Sequence, residues 1–160
     1  MQALDAHTTE KDLLPLLDPL LAGVDVGMLS DAGCPAVADP GARLVAAAHA
    51  EGIAVVPLVG PSSPLLALMA SGMNGQGFTF HGYLPVKPEA RAEALRRIEA
   101  DSARTGYAQL FIETPYRTAA MLAAICATCR PATRLALAAD LTLPTEAGLA
   151  FFREAQLTLR

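Results

Sequence analysis

The sequence lacks tryptophan, and only 5% of its 160 residues are aromatic, which leaves little material for a broad base-stacking surface. It has 12 basic against 16 acidic residues and a formal net charge of −4. This balance argues against an extended basic face for nucleic acid but leaves a local basic patch open. No apolar run reaches the length of a membrane span, and the start MQALDAHTTEKD lacks the signal-peptide pattern. We therefore expect a cytoplasmic protein without membrane contact.

Several common chemical motifs are also missing. There is no P-loop, no G-x-G-x-x-G, no H-E-x-x-H and no G-x-S-x-G, which argues against P-loop, dinucleotide-binding, zinc-protease and serine-hydrolase sites. Three cysteines are too few for a disulfide framework. Cys126 and Cys129 form a C-x-x-C pair, but no second pair or nearby histidine completes a zinc set. We expect this pair to pack in the core, and we expect no metal site.

What is present is an alternation of short apolar runs and helical patterns, in a chain that is 52% hydrophobic. The apolar runs do not alternate cleanly with polar residues, which favours sheets covered on both faces and hence an α/β fold. The predicted helices are Asp12–Ala22, Pro40–Glu51, Pro64–Ser71, Pro88–Arg104 and Pro115–Cys129. The predicted strands are Asp25–Leu29, Ala54–Leu58, Phe78–Tyr83, Ala108–Ile112 and Arg134–Ala139.

A glycine-rich turn marks the predicted boundary between two lobes. The segment MNGQGFTF (73–80) contains three turn-forming residues, Asn74, Gly75 and Gly77, before a new strand begins. After it, the helical pattern becomes heavily charged. The sequence therefore predicts an amino-terminal lobe over residues 1–76 and a carboxyl-terminal α/β lobe over residues 77–160.

The predicted strands end in short polar loops that share a pattern. The segment LSDAGCPAVADPG (29–41) follows the first strand, and Asp39-Pro40, Ser63-Pro64 and Thr114-Pro115 each place a capping side chain before a proline, a typical helix start. Ligands of α/β proteins bind beyond the carboxyl ends of the strands. These loops therefore predict a small-molecule site along one edge.

Four blocks in order give the sequence a family resemblance: LSDAGCPAVADPGARLV, VVPLVGPSSPLLALMASG, GYLPVK and FIETPYR. Together they resemble the ribosomal RNA small-subunit methyltransferase I family of the tetrapyrrole (corrin/porphyrin) methylase superfamily, over about Asp25 to Thr142. Three positions depart from that pattern: Cys34 stands for the usual threonine, and ETPYR stands for the usual ESPHR, with Thr114 and Tyr116 in place of serine and histidine. The resemblance implies a two-lobed tetrapyrrole-methylase-like fold with mixed sheets covered by helices.

The resemblance also implies S-adenosylmethionine as the cofactor. Gly33 would let the backbone approach the ligand, and Asp31 would accept hydrogen bonds from its ammonium group or favour its sulfonium. The hydroxyls of the serine pair and the adjacent helix start suit a carboxylate, and two apolar residues would wall the adenosine. The implied cofactor-binding residues are Ser30, Asp31, Gly33, Cys34, Ser62, Ser63, Ile112 and Leu141.

The implied reaction is 2′-O-methylation of a ribose in small-subunit ribosomal RNA. Because a sulfonium is an activated methyl donor, the protein mainly aligns donor and acceptor. Asp31 and Glu113 are both candidates for taking the hydroxyl proton, and the sequence does not select between them. The residues expected on the acceptor side are Lys87, Glu113, Tyr116 and Arg117.

Two other functions stay open at this stage. The second interpretation is an enzyme of the same fold that methylates a small tetrapyrrole-like molecule. The third interpretation is a non-catalytic binding or dimerising module. The third arises because nothing before HTTEKDLLPLL resembles the strand and glycine loop with which family members open. We therefore expect a chain truncated in its amino-terminal lobe, and a homodimer as in the family.

Overall fold

The computed structural model describes residues 2–5 and 7–152, and for residues 10 and 147–152 it describes the backbone alone. The chain divides into two compact units, residues 1–62 and 63–160, and each is described by itself. The lobe boundary expected between residues 76 and 77 stays a prediction.

The first unit contains two helices, α1 (Glu10–Leu21) and α2 (Ala42–Ala50), which pack against each other. Helix α1 begins after Thr9, whose backbone N–H and hydroxyl donate to the Asp12 carboxylate at 2.8 and 2.6 Å. This arrangement fixes the chain at the helix start. The buried apolar side chains of the two helices are Leu13, Leu17 and Ala48.

Two strands predicted in this unit, Asp25–Leu29 and Ala54–Leu58, are wrong, because neither segment forms a strand in the structure. A β-strand requires ladder hydrogen bonds from a neighbour, and no described residue pairs with either segment in this way. Their apolar side chains remain largely in solvent: Leu29 and Leu58 are each 87% exposed. An apolar run alone therefore does not make a strand.

The second unit alternates helices and strands, as expected. Its elements are α3 (Ser63–Ser71), β1 (Phe78–Tyr83), α4 (Pro88–Thr105), β2 (Ala108–Ile112), a 3₁₀ turn (Pro115–Arg117), α5 (Thr118–Thr128), β3 (Leu135–Ala139) and β4 (Ala147–Phe152). Strands β1 and β2 pair in parallel and β3 and β4 pair antiparallel. Parallel pairing requires a crossover connection, which α4 provides. The α/β class with mixed strand pairing is confirmed.

The core of this unit lies where α4 and α5 pack together. Its buried centre consists of Leu84, Leu95, Ile98 and Met121, and Cys129 packs against it half-buried. Burial raises the pKa of the Cys129 thiol, with smaller contributions from Glu99 and Cys126. The expectation of core packing is wrong for Cys126, which is exposed.

Candidate functional site

The loop over residues 29–41, which we call the 29–41 loop, is held in shape by its own backbone. The Ser30 hydroxyl donates to the Ala32 carbonyl at 2.9 Å, and the Ala36 N–H donates to the Pro40 carbonyl at 3.3 Å. Two alanines, Ala36 and Ala38, have φ angles of 64° and 53°, a region that non-glycine residues rarely adopt. Strained backbone of this kind is often found at functional sites.

A contact within the first unit joins this loop to the second polar segment of the sequence. The Cys34 thiol donates to the Pro61 carbonyl at 3.0 Å, although the two residues are 27 positions apart. Pro61 directly precedes Ser62, so the contact holds the SDAGC segment close to the carboxyl-terminal end of the first unit. Ser62 is half-buried and Asp31 is exposed.

Gly33 and Asp31 give the loop an open surface. Gly33 has a φ of +77°, and a Cβ built on it would meet no atom within 4 Å. The Asp31 carboxylate makes no hydrogen bond or ion pair within the described part of the chain. A ligand can therefore approach both the backbone at Gly33 and the carboxylate beside it.

The remaining predicted cofactor residues belong to the second unit. Ser63 is the first residue of α3, Ile112 is the last residue of β2, and Leu141 follows β3. Ile112 and Leu141 are both half-buried. The backbone bends sharply around Leu141, because Asp140 and Thr142 have φ angles of 53° and 71°.

The residues predicted on the acceptor side follow the carboxyl ends of β1 and β2, which a parallel pair brings to one edge. Arg117 Nη2 lies 2.9 Å from Glu113 Oε2, with the two side chains only 17% and 8% exposed. The same nitrogen donates to the Leu84 carbonyl at 3.2 Å, and Glu113 Oε1 accepts from the Thr114 N–H at 2.8 Å. The Arg117 guanidinium is thus engaged inside the protein.

Lys87 and Tyr116 differ from this buried pair. Lys87 directly precedes α4 and is exposed, and Tyr116 in the 3₁₀ turn is 84% exposed. Of the residues predicted on the acceptor side, these two are therefore the most accessible from solvent. The sequence analysis did not identify Leu84, whose main-chain carbonyl accepts the hydrogen bond from Arg117. A contact made by the main chain leaves no pattern among the side chains of a sequence.

Two further findings concern the described residues. No group of three or more histidine, cysteine, aspartate or glutamate side chains there is arranged to hold a metal ion. No described helix combines the length and apolar character needed to cross a membrane.

Comparison with known proteins gives a consistent result. Residues 2–154 match the family described as Tetrapyrrole (Corrin/Porphyrin) Methylases. The chain is 39% identical over 115 residues to the ribosomal RNA small subunit methyltransferase I of Vibrio cholerae, covering 72% of the chain and 38% of that protein. It is 46% identical over 110 residues to the protein of that name from Mesorhizobium japonicum, covering 69% of the chain and 36% of the relative.

A longer match is found with the ribosomal RNA small subunit methyltransferase I of Micromonospora olivasterospora. It is 42% identical over 142 residues, covering 88% of the chain and 43% of that protein. The chain thus spans less than half the length of these curated relatives. The resemblance read from the four sequence blocks is confirmed, and the chain belongs to the tetrapyrrole (corrin/porphyrin) methylase family.

Proposed function

We propose that the protein takes part in S-adenosylmethionine-dependent methylation of a ribose 2′-hydroxyl in small-subunit ribosomal RNA. The observation on which this mainly rests is the Cys34–Pro61 hydrogen bond, which holds the 29–41 loop close to Ser62 within the first unit. The names of the relatives support the RNA substrate.

The residues of the first unit fit this cofactor. Its ammonium group needs a carboxylate, and the Asp31 carboxylate has no hydrogen-bond or ion-pair partner among the residues that the structure describes. Its carboxylate needs hydroxyl or N–H donors, and Ser62 directly precedes α3, at whose start backbone N–H groups are unpaired. Gly33 leaves room for close approach. Ser30 and Cys34 shape the loop through the hydrogen bonds already described.

In the second unit, Ser63, Ile112 and Leu141 are proposed cofactor contacts on the basis of the family resemblance. Ser63 adds a second hydroxyl at the start of α3. Ile112 and Leu141 offer half-buried apolar surface at two strand ends, which suits the adenosine ring.

The bound cofactor supplies a methyl group that is already activated by a positive sulfonium. The protein then needs to align the acceptor hydroxyl and exclude water. We propose that the Glu113–Arg117 pair holds the acceptor edge in one geometry, with Lys87 and Tyr116 contacting the RNA. Asp31 and Glu113 both stay candidates for accepting the hydroxyl proton. Asp31→Asn and Glu113→Gln, compared at saturating cofactor, separate them, because loss of the base lowers kcat even when every site is filled.

The cofactor proposal is tested by calorimetric titration of the 160-residue chain with S-adenosylhomocysteine. We expect Asp31→Asn to weaken binding roughly tenfold, since it removes a charge-assisted hydrogen bond. The matched control is Asp25→Asn, another exposed aspartate of the same unit, which should change binding less than about twofold. Absence of binding, or equal weakening by both variants, would refute the site.

A second substrate class is suggested by the family description, which names tetrapyrroles. A transfer assay with labelled S-adenosylmethionine distinguishes the two substrate classes, with either unmodified small-subunit ribosomal RNA or a porphyrinoid as the acceptor. Label transfer to the RNA alone supports the first proposal. Transfer to the porphyrinoid alone reverses it.

We further propose that the protein is a cytoplasmic homodimer. The first unit exposes several apolar side chains, among them Leu29, Leu58 and Val59, and contiguous apolar surface favours association. Light scattering coupled to size-exclusion chromatography tests this. A mass near 16.7 kDa at all concentrations would contradict the dimer.

A further inference from the structure

The second unit contains a pocket that the proposed reaction does not use. It is open, has a volume of about 310 Å³, and lies where β2 and β3 begin. We call it the amino-end pocket and define it by Asn74, Glu99, Tyr107, Arg130 and Arg134. It lies at the opposite end of β2 from the acceptor edge, and a five-residue strand separates the two by roughly 15 Å.

One wall of the pocket is fixed by Glu99. This carboxylate, 13% exposed, accepts hydrogen bonds from the Arg130 N–H at 2.8 Å and from the Thr133 hydroxyl. Burial raises the pKa of Glu99, but these hydrogen bonds and the Arg130 charge outweigh it and lower the pKa. Glu99 therefore stays ionised and ties the 130–134 turn to α4.

The pocket is also lined by the aromatic ring of Tyr107, which packs against Gly77. A Cβ added to Gly77 would lie only 2.3 to 2.5 Å from three ring carbons of Tyr107, so the ring occupies the space that a side chain would need. The Ser102 hydroxyl donates to the Tyr107 carbonyl at 3.0 Å. The Tyr107 side chain is preorganised, yet the residue is 46% exposed.

The rim of the pocket is basic. The Arg130 side chain is 67% exposed, and Arg134 is exposed and forms no ion pair with any residue that the structure describes. The Asn74 Oδ1 accepts from the Gln76 N–H at 2.9 Å, which leaves the amide N–H groups of Asn74 as donors.

These groups match one ligand class. Guanidinium groups bind phosphate, an exposed aromatic ring stacks on a base, and an amide hydrogen-bonds a base edge. The volume is at the small end for ligand pockets, which suits one nucleotide, and the open mouth lets a chain continue on both sides. We propose that the amino-end pocket binds one unpaired nucleotide of the RNA substrate, remote from the methylated ribose.

This inference rests on the proposed RNA substrate and makes it more specific, because two contacts at opposite strand ends fix the direction of the RNA strand. The test is fluorescence anisotropy of the whole chain with a labelled single-stranded 12-nucleotide RNA, measured without cofactor across a salt series. We expect Arg134→Glu to weaken binding roughly tenfold and to reduce the salt slope by about one. We expect Tyr107→Leu to weaken binding by a similar factor with an unchanged slope.

The matched control is Arg104→Glu, which makes the same charge change on α4 outside the pocket, at a side chain 72% exposed. It should change affinity less than about twofold. Equal losses for Arg134→Glu and Arg104→Glu would overturn the pocket in favour of general charge attraction, and so would no loss for Arg134→Glu. A free mononucleotide that competes as strongly as the oligonucleotide would overturn the RNA assignment.

The readout also separates this inference from the methylation proposal. Arg134 and Tyr107 have no proposed part in cofactor binding, so S-adenosylhomocysteine affinity should be unchanged in both variants. A chain that binds RNA through the pocket but transfers no methyl group would refute the proposed reaction and support the pocket. If both variants methylate RNA with full efficiency, the proposed reaction is supported and the role of the pocket is refuted.

Discussion

The two compact units differ in charge and in how completely they bury their apolar residues. Residues 1–62 contain two basic and eight acidic residues, a formal net charge of −6, whereas residues 63–160 contain ten basic and eight acidic residues, a net charge of +2. The first unit leaves two apolar segments exposed, while the second unit buries its centre between α4 and α5. The net charge of the whole chain hides this division. The positive charge of the second unit favours it as the location of the proposed RNA contact.

The difference in packing predicts that truncating one leucine in each unit has very different effects on stability. Leu95 is 2% exposed in the core of the second unit, and Leu58 is 87% exposed in the first. Leu95→Ala should lower the free energy of unfolding by about 3 kcal/mol through lost burial and a cavity. Leu58→Ala should change it by less than about 0.5 kcal/mol. Urea denaturation measures both, and similar losses would refute the difference in packing.

A large effect on stability is also expected at the buried ion pair between Glu113 and Arg117. Arg117→Met should cost about 3 kcal/mol, because it leaves the Glu113 carboxylate buried without its partner. The double variant Glu113→Gln, Arg117→Met should recover part of this loss, since no buried charge remains. Arg104→Met, at an exposed pair, should cost less than about 0.5 kcal/mol. A double variant less stable than Arg117→Met alone would contradict the explanation.

A smaller effect is expected from pH acting on Glu99. Its folded-state pKa is lowered, so its stabilisation is fully present above the unfolded value of roughly 4.3 and is lost as the pH falls through the folded value. Glu99→Gln should reduce stability at pH 7 by about 1 kcal/mol and flatten the loss between pH 5 and the acid limit. Unfolding followed at several pH values checks this. An unchanged acid slope would show that Glu99 does not hold the turn.

The smallest effect is expected in the first unit at Asp12. Hydrogen bonds from the Thr9 hydroxyl and N–H lower the pKa of this exposed carboxylate, so its contribution is likewise lost on acidification. Asp12→Ala should lower the melting temperature at pH 7 by less than Glu99→Gln does, because its partners are local and solvated. Thermal circular dichroism compares the two variants. A larger drop in melting temperature for Asp12→Ala than for Glu99→Gln would contradict this prediction.

The sequence predicted the local features of the second unit well. Strands Phe78–Tyr83 and Ala108–Ile112 were predicted with the bounds they have, because short apolar runs between turns identify them. Strand β4 (Ala147–Phe152) was not predicted, and Asp25–Leu29 and Ala54–Leu58 were predicted but do not form. A strand depends on a partner distant in sequence, and a local pattern does not contain that partner.

The candidate site likewise has features that the sequence indicated and features that it did not. Family blocks indicated the 29–41 loop and the segment that contains Pro61, and the Cys34–Pro61 hydrogen bond joins these two parts of the first unit. The cofactor roles of the individual residues stay predictions. The amino-end pocket had no signal in the sequence, since Glu99 reaches Arg130 and Thr133 across 31 and 34 positions. The sequence does show that most of the arginines lie in residues 63–160. That distribution would have indicated the second unit as the location of a phosphate-binding pocket.

The parallel pairing of β1 and β2 also has a consequence for the order of folding. Phe78 pairs with Ala108, 30 positions away, so this pair cannot grow outward from a tight turn as a hairpin does. The connecting chain must first be shortened, and α4 does this because a helix rises only about 1.5 Å per residue. Substitutions that weaken α4 on its solvent side should therefore slow refolding of this region more than they accelerate its unfolding.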